Sequence, residues 1–119
     1  MGNALSIGIG LAMHVRNKVV VINGDGSALM GLGAMVTANK LKLPNLHHYI
    51  LDNSCHESTG WQPTSSEFVY FESLCPNTNV LFMQKSSMQP PRITLTPKQI
   101  TMRFKDAIIR QQKKQKVGR

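Results

Sequence analysis

The stretch that decides the fold is INGDGSALMGLGAMVTANKLKLPNLHHYILDNSCHESTGWQPT, residues 22–64. It begins at the end of one apolar run, where Asp25 lies between two glycines, and it reaches Asn53 at the end of a second apolar run. Between the two runs lies a segment whose apolar residues recur near helical spacing. The stretch therefore predicts a strand–helix–strand unit with a polar group at each strand end.

Predicted strands and helices alternate along the rest of the chain, which indicates an α/β fold with a mainly parallel sheet flanked by helices. The β-branched run at residues 18–23 predicts a strand that is buried on both faces of this sheet. The predicted helices are 3–15, 27–42, 66–74 and one that begins after a capping box at Thr96, and the predicted strands are 18–23, 47–52 and 80–84, with a loop at 53–66 and an extended connector at 86–95.

Four glycines lie inside the predicted helices: Gly8, Gly10, Gly31 and Gly33. A glycine in a helix interior costs up to ~1 kcal/mol relative to alanine. A close packing contact with a neighbouring element offsets that cost, so we expect such contacts at these positions.

The composition is that of a folded domain. A length of 119 residues and a hydrophobic content of 41% suit a single core and exclude a disordered chain. No apolar run reaches the ~18 residues of a membrane span, so no membrane partner is expected. The two cysteines, Cys55 and Cys75, lack metal-ligand spacing, and we expect them to be reduced and the protein to be cytoplasmic.

The net charge of +8 is concentrated towards the end of the sequence. Residues 1–97 carry six basic and five acidic side chains, whereas residues 98–119 carry eight basic and one acidic. We therefore expect a domain over residues 1–110 and a basic, disordered tail over residues 111–119. The tail has no aromatic residue on which bases could stack, so no specific binding to nucleic acid is expected.

The two polar strand ends have the chemistry of a metal–diphosphate site. Asp25 supplies a carboxylate and Asn53 an amide oxygen, and these hard donors suit Mg²⁺ or Ca²⁺ better than zinc or copper. A helix that begins at Ser27 points its N–H groups at the same place and favours an anion. The alternative is that Gly24-Asp25-Gly26 is an ordinary turn between a strand and a helix, and that Asn53 is a turn residue.

The Gly-Asp-Gly turn, followed after about 26 residues by Asn at a strand end, resembles the cofactor motif of the thiamine diphosphate-dependent decarboxylases. The segment MGNALSIGIGLA is similar to the Gly-Ser-Met-Gly segment of that family. The segments HESTGWQPT and RITLTPKQITMRF are similar to those of the phosphonopyruvate and sulfopyruvate decarboxylases. The resemblance covers most of residues 1–75 and 80–109, and it implies the diphosphate-binding domain of the thiamine diphosphate-binding fold.

The resemblance implies both an activity and a set of site residues. The implied activity is decarboxylation of an anionic 2-oxoacid such as phosphonopyruvate or sulfopyruvate, with thiamine diphosphate and Mg²⁺ as cofactors. The implied Mg²⁺ ligands are Asp25, the side chain of Asn53 and the backbone carbonyl of Cys55. The further residues expected to bind the cofactor are Met1, which would hold it bent, and Gly24, Gly26 and Ser27 at its diphosphate.

Four basic or titratable side chains have less specific interpretations. His56 follows the metal loop and either touches the substrate or faces solvent, and no other catalytic candidate is present. Arg92 either pairs with a phosphonate or sulfonate group or is solvated. His47 and His48 open a strand and are interpreted as structural.

The sequence departs from the family pattern in three places. It begins on the Met of the Gly-Ser-Met-Gly segment, so we expect the domain to lack a preceding strand. Residues 75–79 run straight into the predicted third strand, where the family has a further strand–helix pair. Gly60-Trp61 replaces the usual Gly-Gly before Gln-Pro-Thr, which places a bulky ring near the cofactor.

The resemblance also implies a partner. The family's pyrimidine domain supplies a glutamate that protonates the cofactor, and that domain has no counterpart here. We therefore expect one half of a 2-oxoacid decarboxylase that needs a pyrimidine-domain subunit or domain, forms an oligomer and is inactive as an isolated chain. The alternative is a truncated, non-catalytic relative that acts as an interaction module.

Overall fold

The computed structural model describes residues 2–84 and 91–117 of the chain. The chain divides into two compact units, Met1–Lys85 and Ser86–Arg119. Met1 and residues 86–90 of the predicted connector lie outside the described residues. The domain boundary predicted at residue 110 stays a prediction, although one helix runs through that position.

The first unit alternates strands and helices, and the second contains one long helix. The helices are α1 (Ala4–Ala12), α2 (Asp25–Met30), α3 (Leu32–Leu41), α4 (Phe71–Leu74) and α5 (Pro97–Val117), and the strands are β1 (Val19–Gly24), β2 (Leu46–Asp52), β3 (Cys55–His56), β4 (Gln62–Pro63) and β5 (Thr78–Phe82). Strands β1, β2 and β5 form a parallel sheet in the order β1-β2-β5, while β3 and β4 form a separate antiparallel pair. The predicted α/β class with a mainly parallel sheet flanked by helices is confirmed.

The core of the first unit lies on one face of the sheet, where α1 packs against β1. The prediction that β1 is buried on both faces is wrong, because its residues alternate between buried and exposed. Val20 and Ile22 are 50% and 62% exposed. A continuous β-branched run is typical of a strand covered on both sides. Here the strand residues of the core cluster all lie on the same face as Val21, so the opposite face has no part in that core.

Helix α1 approaches the sheet closely at one of its two glycines. A Cβ on Gly8 would lie 2.2 Å from Cγ2 of Val21 on β1, so the backbone of α1 comes closer to the strand than any larger residue allows. Gly10 on the same helix has no neighbouring atom within 4 Å of its Cβ position. The predicted close contact is therefore confirmed for Gly8 and wrong for Gly10.

The helix predicted over residues 27–42 is two helices. Helix α2 begins earlier, at Asp25, and a break at Gly31 separates it from α3. A Cβ on Gly31 would lie 2.3 Å from the carbonyl oxygen of Gly2, so this glycine allows a contact with a residue that is remote in sequence. Gly33 has no neighbouring atom within 4 Å, and the contact predicted there is wrong.

The segment between β2 and β5 is more structured than predicted. The predicted loop contains the antiparallel hairpin β3–β4, residues 55–63. The helix predicted over residues 66–74 is a short 3-10 turn followed by the single-turn α4. The third strand of the sheet begins at Thr78 and ends at Phe82, slightly ahead of the predicted range.

The second unit confirms the predicted capping box. The N–H of Thr96 donates to Oε1 of Gln99 at 2.8 Å, and the N–H of Gln99 donates to Oγ1 of Thr96 at 3.3 Å. Helix α5 continues to Val117, through most of the segment predicted as a disordered tail, whose disorder stays a prediction. Lysine and glutamine are good helix formers, which explains why the basic segment extends the helix.

Among the described residues, no helix has the length and apolar character needed to cross a membrane.

His48 is a fully buried side chain of β2, at 1% exposure. Its Nδ1 lies 3.0 Å from Oγ1 of Thr78 on β5, and its Nε2 has no partner among the described residues. Burial lowers the pKa of His48 from its usual 6.5 to about 4. His48 is therefore a neutral core residue at pH 7, in line with the structural interpretation, while the role of half-buried His47 stays a prediction.

We expect Gly8→Ala and Gly10→Ala to change stability in opposite directions. Gly8→Ala forces a methyl group into Val21, and overpacking of this kind costs about 1–3 kcal/mol. Gly10→Ala meets no neighbour and gains helix propensity, up to ~1 kcal/mol. Urea unfolding of the two variants measures the difference in free energy of unfolding. Equal effects in both variants would contradict the close approach of α1 to β1.

We expect the free energy of unfolding to fall by about 2 kcal/mol between pH 6.5 and 4.5 because of His48. The unfolded chain takes up a proton near pH 6.5, whereas the folded chain excludes it until about pH 4. The contribution of His48 to the free energy of unfolding is therefore fully present above its pKa in the unfolded chain. It is lost as the pH falls towards its pKa in the folded chain. Urea titrations of wild type and His48→Gln at several pH values measure this, with exposed His14→Gln as the control. A His48→Gln variant with the same pH dependence as wild type contradicts the prediction.

Candidate functional site

The parallel register of β1 and β2 brings both polar strand ends to one edge of the sheet. Gly24, the last residue of β1, pairs with Leu51 near the end of β2. Asp25 and Asn53 therefore follow the two strands at the same edge. In parallel sheets, ligands bind at this edge, beyond the carboxyl ends of the strands.

Asp25 is a buried carboxylate, 2% exposed, at the first position of α2. Its Oδ2 accepts a hydrogen bond from the hydroxyl of Thr64, which is buried as well. Among the residues that the structure describes, no Lys, Arg or His forms an ion pair with this carboxylate. A buried charge is costly unless it is compensated. A cation at this edge of the sheet would supply the compensation.

The side chain of Asn53 is held in one orientation. Its Nδ2 donates to Oε2 of Glu57 at 3.1 Å, and its Oδ1 accepts from the N–H of Cys55 at 3.2 Å. The carbonyl oxygen of Cys55 accepts from the N–H of Glu57 at 3.1 Å. Oδ1 of Asn53 and the carbonyl oxygen of Cys55, both predicted as metal ligands, each accept a hydrogen bond here. A carbonyl oxygen has two lone pairs, so one such bond does not by itself prevent it from binding a metal ion.

The β3–β4 hairpin packs directly on the first turn of α2. A Cβ on Gly26 would lie 2.6 Å from Nδ1 of His56 and 3.2 Å from Cγ2 of Thr64. Only glycine leaves room for both side chains at this position. His56, the predicted substrate contact, therefore lies beside the turn that is predicted to bind the diphosphate.

The other two diphosphate candidates have different surroundings. Gly24 is exposed, and no neighbouring atom lies within 4 Å of its Cβ position. Oγ of Ser27 accepts from the N–H of Gly2 at 3.1 Å and from Nδ2 of Asn23 at 3.4 Å, so its own proton can be donated elsewhere. Helix α2 has six residues, so the helix expected to favour an anion at Ser27 is much shorter than predicted.

Two buried polar residues at this edge were not predicted. Oδ1 of Asp52 accepts from the N–H of Ser54 at 2.8 Å and from the hydroxyl of Ser66 at 2.9 Å, which fixes the loop that carries Asn53. Asp52 could have been found from the sequence, because it lies at the end of an apolar run. Thr64 is separated from Asp25 by 39 positions, and nothing local in the sequence indicates their contact.

Two predicted site residues lie elsewhere. Arg92 is an exposed residue of the second unit, and its role at the substrate stays a prediction. Met1 lies outside the described residues, so its role at the cofactor stays a prediction as well.

Trp61 occupies the hairpin with a left-handed backbone, at a φ of 63°. Its N–H donates to the carbonyl oxygen of His56 at 3.1 Å, which closes the turn of the hairpin. A left-handed conformation suits glycine and strains a bulky residue. The backbone at this position therefore suits the glycine of the family pattern, and Trp61 adopts the same conformation with some strain.

The donors at this edge fit Mg²⁺. Asp25, Asn53 and Cys55 offer one carboxylate, one amide oxygen and one carbonyl oxygen, all of them hard ligands. Within residues 2–84 and 91–117, no three His, Cys, Asp or Glu side chains are grouped to hold a metal ion. Mg²⁺ needs no such group, because it takes one or two carboxylates and completes its shell with water and phosphate oxygens.

Comparison with protein families identifies the domain. Residues 1–114 match the family described as thiamine pyrophosphate enzyme, C-terminal TPP binding domain. The chain belongs to this family. The match covers β1, β2, the hairpin and most of α5, and it includes the edge at which Asp25 and Asn53 lie.

Several decarboxylases are similar to this chain. The phosphonopyruvate decarboxylase of Streptomyces hygroscopicus is 51% identical over 69 residues, which is 58% of this chain and 17% of that protein. The sulfopyruvate decarboxylase subunit beta of Methanothermobacter thermautotrophicus is 48% identical over 69 residues, which is 58% of this chain and 37% of that protein. The chain thus spans between about a sixth and somewhat over a third of the length of these relatives.

A longer but weaker similarity covers nearly the whole chain. The sulfopyruvate decarboxylase of Methanosarcina acetivorans is 27% identical over 138 residues, covering 91% of this chain and 36% of that protein. The aligned length exceeds the 119 residues of the chain, so the relative has residues within the aligned region that are absent here. This agrees with the predicted absence of an internal segment, although it does not locate that segment at residues 75–79.

Proposed function

We propose that this domain is the cofactor-binding half of a thiamine diphosphate-dependent 2-oxoacid decarboxylase. Its substrate would be an anionic three-carbon 2-oxoacid such as phosphonopyruvate or sulfopyruvate, the substrates in the names of its relatives. The observation that carries the proposal is the buried carboxylate of Asp25 at the end of β1, beside the loop of Asn53 and inside the matched region. Such a carboxylate is suited to hold a cation that bridges to a diphosphate.

In the proposed site, Mg²⁺ is held by Asp25, by Oδ1 of Asn53 and by the carbonyl oxygen of Cys55. The diphosphate would bind at the carboxyl end of β1, where Gly24 is exposed, Ser27 offers a hydroxyl proton and Gly26, packed against His56 and Thr64, would contribute its backbone. Thiamine diphosphate, when bound, supplies the electron sink for the release of CO₂ from a 2-oxoacid. The contribution of this chain is to hold the metal and the diphosphate in place.

Three further residues have proposed roles. His56 lies against Gly26 and would touch the substrate. Arg92 would pair with the phosphonate or sulfonate group, for which a guanidinium is well suited. Met1 would support the bent form of the cofactor.

We propose that a pyrimidine-domain subunit or domain completes the active site, and that the two assemble as an oligomer. Relatives are named as beta subunits, which supports a partner chain. Cys55 and Cys75, both of which the structure describes, form no disulfide, and a cytoplasmic location is proposed accordingly.

A second candidate function is that of a non-catalytic interaction module. It is favoured by the exposed apolar residues on one side of the sheet, Val20, Ile22 and Leu81, which we call the open face. Contiguous apolar patches of this kind mark interaction surfaces. The two candidates differ in cofactor affinity, because an interaction module has no need of Asp25.

We expect Asp25→Asn to weaken binding of thiamine diphosphate in the presence of Mg²⁺ by at least about tenfold. The substitution keeps the shape and the hydrogen bond to Thr64 but removes the charge that binds the metal. Calorimetric titration with thiamine diphosphate and Mg²⁺ measures the affinity. Asp106→Asn, an exposed substitution in α5, is the matched control and should match wild type. Equal affinities for wild type and Asp25→Asn favour the interaction module.

We expect the isolated chain to release no CO₂ from phosphonopyruvate or sulfopyruvate. The proton transfers at the cofactor's pyrimidine ring require a general acid from the proposed partner. A coupled assay for CO₂ with purified chain, thiamine diphosphate and Mg²⁺ tests this. Turnover by the chain without a partner would show that it carries the whole active site.

A further inference from the structure

We infer that Thr64 is a positioning residue of the metal site, which joins the Asp25 ligand to the loop that carries the other two. This inference rests on the proposed function, because it concerns the same Mg²⁺ and diphosphate. Its basis is that Thr64 donates two hydrogen bonds, one from its side chain and one from its backbone. The side chain of Thr64 bonds to Asp25, and its backbone bonds to the residue between Asn53 and Cys55.

The side-chain bond fixes the carboxylate. Thr64 is 7% exposed and Asp25 is 2% exposed, so neither group exchanges this bond readily for one with solvent. The hydroxyl donates to Oδ2 of Asp25. A hydroxyl has one proton, so this donor is committed to one oxygen of the carboxylate. This bond restrains Oδ2 of Asp25 and leaves Oδ1 as the oxygen that does not accept from Thr64.

The backbone bond fixes the ligand loop. The N–H of Thr64 donates to the carbonyl oxygen of Ser54 at 3.1 Å. Ser54 lies between Asn53 and Cys55, the other two proposed ligands, and has a left-handed φ of 58°. A residue in that conformation needs support from its surroundings. Thr64 provides that support and ties it to Asp25.

The position of Thr64 is itself set by the hairpin. Pro63, its neighbour, pairs with Cys55 across the β3–β4 strands. Cγ2 of Thr64 lies close to Gly26, at 3.2 Å from the position of a Cβ there. The methyl group thus contacts the turn that carries Asp25 while the hydroxyl binds the carboxylate. Strand pairing, side-chain packing and hydrogen bonding agree on one arrangement of the three proposed ligands.

A hydrogen bond to a metal ligand commonly changes metal affinity by 10–100-fold when it is removed. Thr64→Val has nearly the same shape and lacks the donor, so we expect it to weaken Mn²⁺ binding in saturating thiamine diphosphate by about 10-fold or more. Thr64→Ser restores the donor and should lie within about threefold of wild type. Mn²⁺ serves as the probe because its free concentration is measured directly by electron paramagnetic resonance.

Thr59→Val is the matched control, because Thr59 lies in the hairpin just before Thr64 and its exposed hydroxyl bonds to His56 and Gln62 of the same hairpin. It should bind Mn²⁺ as wild type does. If Thr64→Val does not fold, Thr64→Cys provides the same comparison, since a thiol is a weak donor, and it should weaken binding several-fold.

A double substitution separates positioning from general stability. In an Asp25→Asn background the carboxylate is gone, so adding Thr64→Val should cause little further loss of Mn²⁺ affinity. A purely structural role for Thr64 predicts the same loss in both backgrounds, and that result would overturn the inference. Wild-type affinity in Thr64→Val, together with weak binding in Asp25→Asn, overturns the role of Thr64 alone. Absence of Mn²⁺ and thiamine diphosphate binding by wild type overturns the proposed function as well.

Discussion

The parallel pairing of β1 with β2 is the constraint on which the rest of the site depends. Both strands run in the same direction and end at the same edge, so Asp25 and Asn53, which follow the two strands, lie at one edge of the sheet although they are 28 positions apart in sequence. The pairing also places Asp25 where the first turn of α2 buries it. A carboxylate in that position needs a donor, and the hairpin supplies it through Thr64. The strand pairing therefore leads to the burial of Asp25, and the burial of Asp25 in turn requires the hydrogen bond from Thr64.

The features that sequence could predict are those set by local patterns. Apolar runs bounded by polar tips gave the three strands of the sheet, and the Thr96–Gln99 pair gave the start of α5. The exposure of Ile22 could not be predicted in this way, because it depends on which elements pack on the sheet and not on β1 itself. The contact of Gly31 with Gly2 at the helix break likewise joins residues that are distant in sequence.

In the candidate site, too, local patterns place some residues, whereas others depend on contacts between distant segments. Asp25 and Asn53 could be found because the spacing of strand, helix and strand fixes where two strand ends meet. Thr64 could not, because its hydrogen bond spans 39 positions and depends on how the hairpin folds back over α2. The break in the helix after Met30 shortened the helix whose N-terminus was expected to favour an anion. Residues at strand ends are thus easier to place from the sequence than the residues that contact them from a distant segment.

Trp61 is the single tryptophan of the sequence, and it lies in the hairpin that packs on the turn of Asp25 and Gly26. Its emission spectrum therefore reports on this hairpin without any introduced label. Because Trp61 is half-buried, a displacement of the hairpin would change the solvent contact of its indole ring. Stopped-flow fluorescence can consequently follow changes around this hairpin as ligands bind, independently of chemical turnover.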